Sequence, residues 1–168
     1  FFTLENHNPS VPGKDRDGDP SHWVLGRTGS FFFRDMSLNT RLAFFGPQEL
    51  SAGDGQGDVL DRMTVTENGG VYQESSGGEH WFSRNHVNLL GKMPLKFRGA
   101  KYYLDGVEAY TRNRPDAWLQ ANDRRFGLAV AVRHFWQNFP KCLSTSADAA
   151  MRVALWPDEF PDNHELQG

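Results

Sequence analysis

The sequence is poor in cysteine, in long apolar runs and in net charge. Its single cysteine, Cys142, excludes an internal disulfide, and a lone thiol is more often a buried small hydrophobic residue than a nucleophile. No stretch approaches the ~20 consecutive apolar residues of a membrane-spanning helix. The net charge of −3 predicts no strong attraction to polyanions or anionic lipid. We therefore expect no nucleic acid and no membrane among the partners.

Several sequence motifs of known chemistry are also missing. The chain has no Cys–His spacing for zinc, no G-x-S-x-G elbow, no G-x-G-x-x-G and no P-loop. The acidic segment from Asp15 to Asp19 resembles a calcium loop, but its glycine is misplaced and the final glutamate of an EF-hand is absent. The sequence therefore predicts no cofactor and no metal-binding residue, and calcium at this segment is only a weak alternative.

Aromatic residues and glycine are abundant, with 13 Phe, 5 Trp and 17 Gly. This bias is typical of short strands joined by tight turns. Apolar and polar residues alternate with period 2, the pattern of a half-buried strand. The predicted strands cover 31–38, 63–66, 95–98, 100–104, 126–133 and 151–156.

Turn signals separate these strands. Asn68-Gly69-Gly70 and Asp105-Gly106 each predict a hairpin, because asparagine and glycine tolerate the positive φ of tight turns. Residues 6–19 read as a long polar loop, and only 47–50 and 148–150 suggest single helical turns. The fold class is therefore predicted to be all-β, an antiparallel β-sandwich with long loops and little helix, with residues 1–168 as a single domain.

The chain ends predict a fragment of a larger multidomain protein. The chain starts at Phe1 in an apolar, strand-like run and stops without a polar tail, whereas natural termini usually carry disposable polar residues. A domain separated from its flanking domains should expose apolar side chains at the former contacts. The candidates for this exposure are Phe44, Phe45, Phe139 and Trp156.

The densest polar cluster spans 77–88 and interleaves histidine, arginine and asparagine with aromatic residues. On an extended segment, alternate side chains would share a face. One face would then carry Glu79 and Trp81, and the other His80, Arg84, His86 and Asn88. The second face suits a hydroxylated, acidic ligand, and Trp81 offers a flat surface for a sugar ring. The alternative is that these side chains only order neighbouring loops.

A second cluster is basic and contains Lys92, Lys96, Arg98 and Lys101. Arginine suits bidentate recognition of a carboxylate, whereas lysine acts as a point charge. The alternative interpretation is a solvated strand face. A third cluster, residues 133–141, is rich in aromatic residues, which we interpret as packing in the core or against another domain.

Five separated segments resemble the middle domain of the exo-rhamnogalacturonan lyases of polysaccharide lyase family 26 and their uncharacterised bacterial relatives. They are 76–81 (SGGEHW), 83–88 (SRNHVN), 94–99 (PLKFRG), 133–141 (RHFWQNFPK) and 162–168 (DNHELQG). The segment 23–30 (WVLGRTGS) resembles the family's opening motif, although Val24 and Arg27 stand at positions expected to be acidic.

The resemblance implies a β-sandwich between an N-terminal barrel and a C-terminal α/α toroid, both missing from this chain. It implies an acidic polysaccharide as partner, the rhamnogalacturonan I backbone of pectin, together with the flanking domains of the same protein. The implied reaction is β-elimination at galacturonate. A pectin-degrading parent would favour an extracellular location. The isolated chain is expected to be inactive.

Such an elimination requires a cation or donor for the carboxylate, a base for the C5 proton and an acid for the leaving O4. We expect His86, and after it His80, to transfer protons, because an imidazole has an ordinary pKa of about 6.5. Arg84 and Asn88 are the expected carboxylate partners. Lys96, Arg98, Trp81 and Glu79 complete the predicted substrate site. Two alternatives stay open: a non-catalytic carbohydrate-binding or scaffolding sandwich, and a lyase for another uronate polymer.

Overall fold

The fold was determined as a computed structural model, which describes residues 5, 31–83 and 92–166. In this part of the chain there are twelve strands and no helix, hence no helix that could span a membrane. The strands are β1 (Phe31–Phe33), β2 (Met36–Arg41), β3 (Glu49–Gly53), β4 (Asp58–Thr64), β5 (Asn68–Gln73), β6 (Ala100–Leu104), β7 (Val107–Arg112), β8 (Trp118–Asn122), β9 (Gly127–Ala131), β10 (Lys141–Ser146), β11 (Ala150–Trp156) and β12 (His164–Leu166).

Two antiparallel sheets pack face to face, so the predicted all-β sandwich is confirmed. The larger sheet has six strands in the order β2-β11-β10-β5-β6-β7, and the smaller has four in the order β4-β3-β8-β9. Strands β1 and β12 form a separate two-stranded ribbon.

The core lies between the two sheets and takes one face of each. Leu50 and Leu119 come from the four-stranded sheet, and Tyr102 and Leu143 from the six-stranded sheet, and all four are fully buried. The Tyr102 hydroxyl donates to the Gly53 carbonyl oxygen at 2.9 Å and so joins the sheets across the core. Apolar residues at alternate positions of the strands point between the sheets and form this core.

The opposite face of the six-stranded sheet has a smaller apolar cluster of its own. Tyr72, Cys142 and Ala154 are buried there, with Phe97 packed against them. Phe97 belongs to the irregular segment 92–99, which therefore covers this face. Burial of Cys142 in this cluster agrees with the prediction that the thiol acts as a small hydrophobic residue.

One predicted hairpin turn and one predicted strand are wrong. Residues 68–70 are not a hairpin turn: they begin β5, while β4 lies in the other sheet. A Cβ at Gly70 would overlap the Leu143 carbonyl, so this glycine allows close strand pairing and not a turn. Residues 95–98 are not a strand, because the backbone N–H groups of Lys96 and Phe97 donate to the buried Glu74 carboxylate instead of a sheet partner.

Two further expectations need correction. The strand predicted over 31–38 is divided into β1 and β2, and its first residues are exposed, since Phe31 and Phe32 have exposed fractions of 54% and 44%. The helical turns suggested at 47–50 and 148–150 are absent, because these segments lead into β3 and β11.

Of the four apolar side chains expected to be exposed, Phe45 is 67% exposed. Phe44, Phe139 and Trp156 are half-buried, so none of the four belongs to the fully buried core. The acidic segment 15–19 lies outside the described residues.

Candidate functional site

The ends of strands β5, β6 and β7 lie side by side in the six-stranded sheet. Gln73, the last residue of β5, pairs with Ala100, the first residue of β6, which pairs in turn with Arg112, the last residue of β7. The antiparallel order of the three strands places these ends side by side. The segments 74–78, 98–99 and 113–117 therefore leave the sheet together and form the walls of a cleft.

Gln73 ties these walls together beneath the cleft. Its side chain is fully buried, and its Nε2 donates to the carbonyl oxygens of Ser75 and, at 3.3 Å, of Asn113. The Ser75 hydroxyl oxygen accepts the N–H of Gly99 at 2.8 Å. Hydrogen bonds thus connect all three walls. Such bonds are strongest where solvent is excluded, as it is around the buried Gln73 and Ser75.

Glycine is required where the walls approach most closely. Gly77 has a φ of 67°, in the left-handed region, and a Cβ there would overlap the Asn113 carbonyl. A Cβ at Gly78 would lie 2.5 Å from the Arg114 Nη2. Gly77 therefore permits the 74–78 backbone to lie against the Asn113 backbone, and Gly78 permits it to lie against the Arg114 side chain.

The cleft has a volume of about 470 Å³, within the range of small-ligand sites. It is lined by Gly77, Gly78, Glu79, His80, Arg98, Asn113 and Arg114.

Two arginine side chains are anchored to consecutive carbonyls of the 74–78 wall. The Arg98 Nε donates to the Gly77 carbonyl oxygen at 2.9 Å, and the Arg114 Nε donates to that of Ser76 at 3.3 Å. No described residue accepts a hydrogen bond from the terminal nitrogens of either side chain. Anchoring through Nε leaves the two-nitrogen fork of each guanidinium for a ligand, and this fork matches a carboxylate.

The remaining polar groups suit a hydroxylated anion. Glu79 and the Asn113 amide offer hydrogen-bond acceptors and a donor for hydroxyl groups, and His80 adds an imidazole at the exposed rim. Two guanidinium charges against one carboxylate leave the cleft with net positive charge. The arrangement can therefore bind a ligand that carries one carboxylate and several hydroxyl groups.

The predicted site residues are only partly brought together. Glu79, His80 and Arg98 line the cleft, whereas Trp81 packs edge-on against Phe82 and Lys96 is exposed outside the lining. The structure does not describe Arg84, His86 and Asn88.

The extended conformation assumed for the polar cluster is wrong at its start. Residues 79–82 form turns, in which the Trp81 N–H donates to the Gly78 carbonyl oxygen at 3.3 Å and the Ser83 N–H to that of His80 at 3.1 Å. Alternate residues therefore do not share a face here. Glu79 and His80, assigned to opposite faces, both reach the cleft.

Sequence reasoning missed two lining residues, Asn113 and Arg114. They follow β7 directly and precede the buried Pro115, a chain position typical of a turn. Nothing in the local pattern linked them to residues 77–80, because only sheet pairing brings the segments together.

Comparison of the chain with models of protein families, with curated proteins and with solved structures finds no match. Among the described residues no group of three or more His, Cys, Asp or Glu is placed to hold a metal ion. The cleft chemistry is therefore the basis on which a function can be proposed.

Proposed function

We propose that this domain binds an acidic polysaccharide and holds the carboxylate of a uronate residue in the cleft lined by Arg98 and Arg114. The observation that carries the proposal is the pair of guanidinium groups fixed through Nε to adjacent carbonyls, with both forks available to a ligand. The resemblance of segments 76–81 and 94–99 to the rhamnogalacturonan lyases adds a candidate ligand, the galacturonate-containing backbone of rhamnogalacturonan I.

Each group of the cleft has a part in this binding. Arg98 receives the carboxylate as a bidentate partner, and Glu79 and Asn113 bind the ring hydroxyls. A neutral sugar would leave the guanidinium forks unpaired, so the cleft selects against it.

Replacing Arg98 with alanine should weaken binding of rhamnogalacturonan I oligosaccharides about 10-fold to 100-fold. This range corresponds to the loss of a charge-assisted hydrogen bond of about 1.5–3 kcal/mol. Isothermal titration calorimetry at fixed salt measures the change. Carboxyl-reduced oligosaccharides are the matched neutral ligand, and they should bind weakly to both wild type and variant.

Arg124 provides the control variant, because it is exposed in the β8–β9 connection and does not line the cleft. Its replacement by alanine removes the same charge and should leave affinity within about twofold, since Arg124 does not line the cleft and an exposed charge contributes little. Equal losses from the two variants would indicate unspecific attraction and contradict the proposal. An unchanged affinity for the Arg98 variant would do so as well.

We propose as a second function that the cleft belongs to a polysaccharide lyase acting by β-elimination at galacturonate in the full-length protein. One observation favours it: the imidazole of His80 and the guanidinium of Arg98 line the same cleft. A guanidinium that pairs with the carboxylate stabilises the charge that develops when the C5 proton leaves. An imidazole can remove that proton or protonate O4 near neutral pH.

Replacing His80 or His86 with alanine in the full-length protein distinguishes the lyase from the non-catalytic binding domain. Loss of a positioned acid or base lowers the rate about 10²-fold to 10⁴-fold. The rate is followed by the ultraviolet absorbance of the unsaturated uronate product, with cooperative thermal unfolding as the control for folding. Near-normal turnover would exclude the replaced histidine as acid or base. A wild-type protein that binds the polymer but forms no unsaturated product would establish the binding domain.

A further inference from the structure

Arg114 reaches the cleft from the connection between the two sheets. Its Nε donates to the Ser76 carbonyl oxygen at 3.3 Å, a long hydrogen bond that anchors the guanidinium but holds its direction only loosely. Arg98, by comparison, is held at 2.9 Å. A second contact is therefore needed to fix the direction of the Arg114 fork.

Trp136 provides this contact from another part of the chain. The Arg114 guanidinium carbon lies 4.7 Å from the centroid of the Trp136 ring, at cation–π distance. Trp136 is half-buried in the turns over 133–138 and follows Phe135, which is fully buried in the core. The turn is closed by the Asn138 N–H, which donates to the His134 carbonyl oxygen at 3.0 Å. The indole ring is thus held by an element independent of the cleft walls.

We propose that Trp136 is the positioning residue for Arg114 and acts on the uronate carboxylate only through it. Trp136 does not line the cleft, so direct contact with a ligand there is not its role. Cation–π contact holds the guanidinium against the indole face, while its Nη2 lies against Gly78 in the cleft lining. The inference rests on the proposed function, because the carboxylate is the ligand that the oriented fork would receive.

A double-mutant cycle on the whole chain tests this role. The variants are Trp136→Leu, Arg114→Ala and the pair, and the probes are rhamnogalacturonan I oligosaccharides and their carboxyl-reduced forms. Trp136→Leu should weaken binding of the acidic probe about threefold to tenfold, the range of a cation–π contact. It should have no further effect when Arg114 is already alanine, because the effects of coupled residues do not add. Trp136→Phe, which keeps an aromatic face, should restore most of the affinity.

The matched control is Phe45→Leu, which removes the equivalent contact between Arg125 and an exposed ring, also at 4.7 Å, outside the cleft. It should leave affinity unchanged. Additive losses from Trp136→Leu and Arg114→Ala, or no loss from Trp136→Leu, would overturn the positioning role.

A measurement without ligand separates this inference from the proposed function. The order parameter of the Arg114 Nε–H bond should fall when Trp136 becomes leucine, because the guanidinium loses the indole face that holds it. An unchanged order parameter would refute the positioning role whatever the binding result. A wild-type chain that binds no acidic oligosaccharide, in which Trp136→Leu still lowers this order parameter, would refute the proposed function and leave only the positioning of Arg114.

Discussion

Replacement of Glu74 by alanine is expected to lower the free energy of unfolding by about 3–5 kcal/mol. The Glu74 side chain is only 1% exposed and accepts three hydrogen bonds. The donors are the N–H groups of Lys96 and Phe97 and the hydroxyl of Tyr72, the last two at 3.1 Å and 3.2 Å. Burial raises the pKa of Tyr72, so this hydroxyl stays a donor. Loss of the Glu74 carboxylate would leave these three donors unpaired and release segment 92–99, which carries Arg98.

Chemical denaturation measures this effect, with two further variants as references. Glu74→Gln keeps an amide oxygen for the backbone donors and should cost about 1–2 kcal/mol. Glu67→Ala removes an exposed carboxylate and should change stability by less than about 0.5 kcal/mol. A Glu74→Ala variant as stable as Glu67→Ala would show that Glu74 does not hold segment 92–99 in place. Affinity for acidic oligosaccharides should fall with stability in the Glu74→Ala variant only.

Replacement of Gly77 by alanine should destroy the cleft. The new Cβ would overlap the Asn113 carbonyl, and the φ of 67° adds the strain of a left-handed conformation. The overlap involves backbone on both sides and cannot be relieved by a rotamer change. We expect unfolding to become easier by more than about 2 kcal/mol and affinity for acidic oligosaccharides to fall at least about tenfold.

A Gly106→Ala variant separates the steric overlap from the strain of the positive φ. It has a φ of 76° in the β6–β7 turn, and a Cβ there meets no heavy atom within 4 Å. Gly106→Ala therefore pays only the conformational penalty, about 1–2 kcal/mol, and should leave binding intact. A Gly77→Ala variant with the stability and affinity of Gly106→Ala would show that the walls are not in close contact.

The parts of the fold that follow from local pattern were predictable. Alternation over 126–133 and 151–156 corresponds to β9 and β11, and Asp105-Gly106 joins β6 and β7 as expected. In β9, Leu128 and Val130 pack against the core and the alternate residues are exposed, and in β11 Met151 and Val153 face the core, so period 2 carries the information.

The wrong predictions involve long-range contacts. Asn68-Gly69-Gly70 has the composition of a turn, but Gly70 packs closely against Leu143 and Ser144 on β10, and Gly69 packs against the Leu50 side chain. Residues 95–98 alternate like a strand, but a buried carboxylate 22 residues earlier takes up their backbone donors. Neither partner is adjacent in sequence, so no local signal distinguishes these cases.

The composition of the cleft was predictable only in part, at the two polar segments that the sequence makes conspicuous. Glu79, His80 and Arg98 were expected near an acidic ligand because of their polar clusters, and the structure places all three in one cleft. Arg114 lies far along the chain and reaches the cleft through sheet pairing, and Trp136 contacts Arg114 from the 133–138 turns. Both placements depend on tertiary structure and could not be predicted from spacing.

The proposed binding of a uronate carboxylate at the ends of β5, β6 and β7 can be tested by NMR. The isotope-labelled chain is titrated with rhamnogalacturonan I oligosaccharides while amide and arginine side-chain resonances are followed. Saturable shifts are expected at Gly77, Gly78, Arg98 and Arg114, and carboxyl-reduced oligosaccharides should not produce them. Shifts confined to other surfaces, or the same shifts with the neutral ligand, would refute binding of the carboxylate in this cleft.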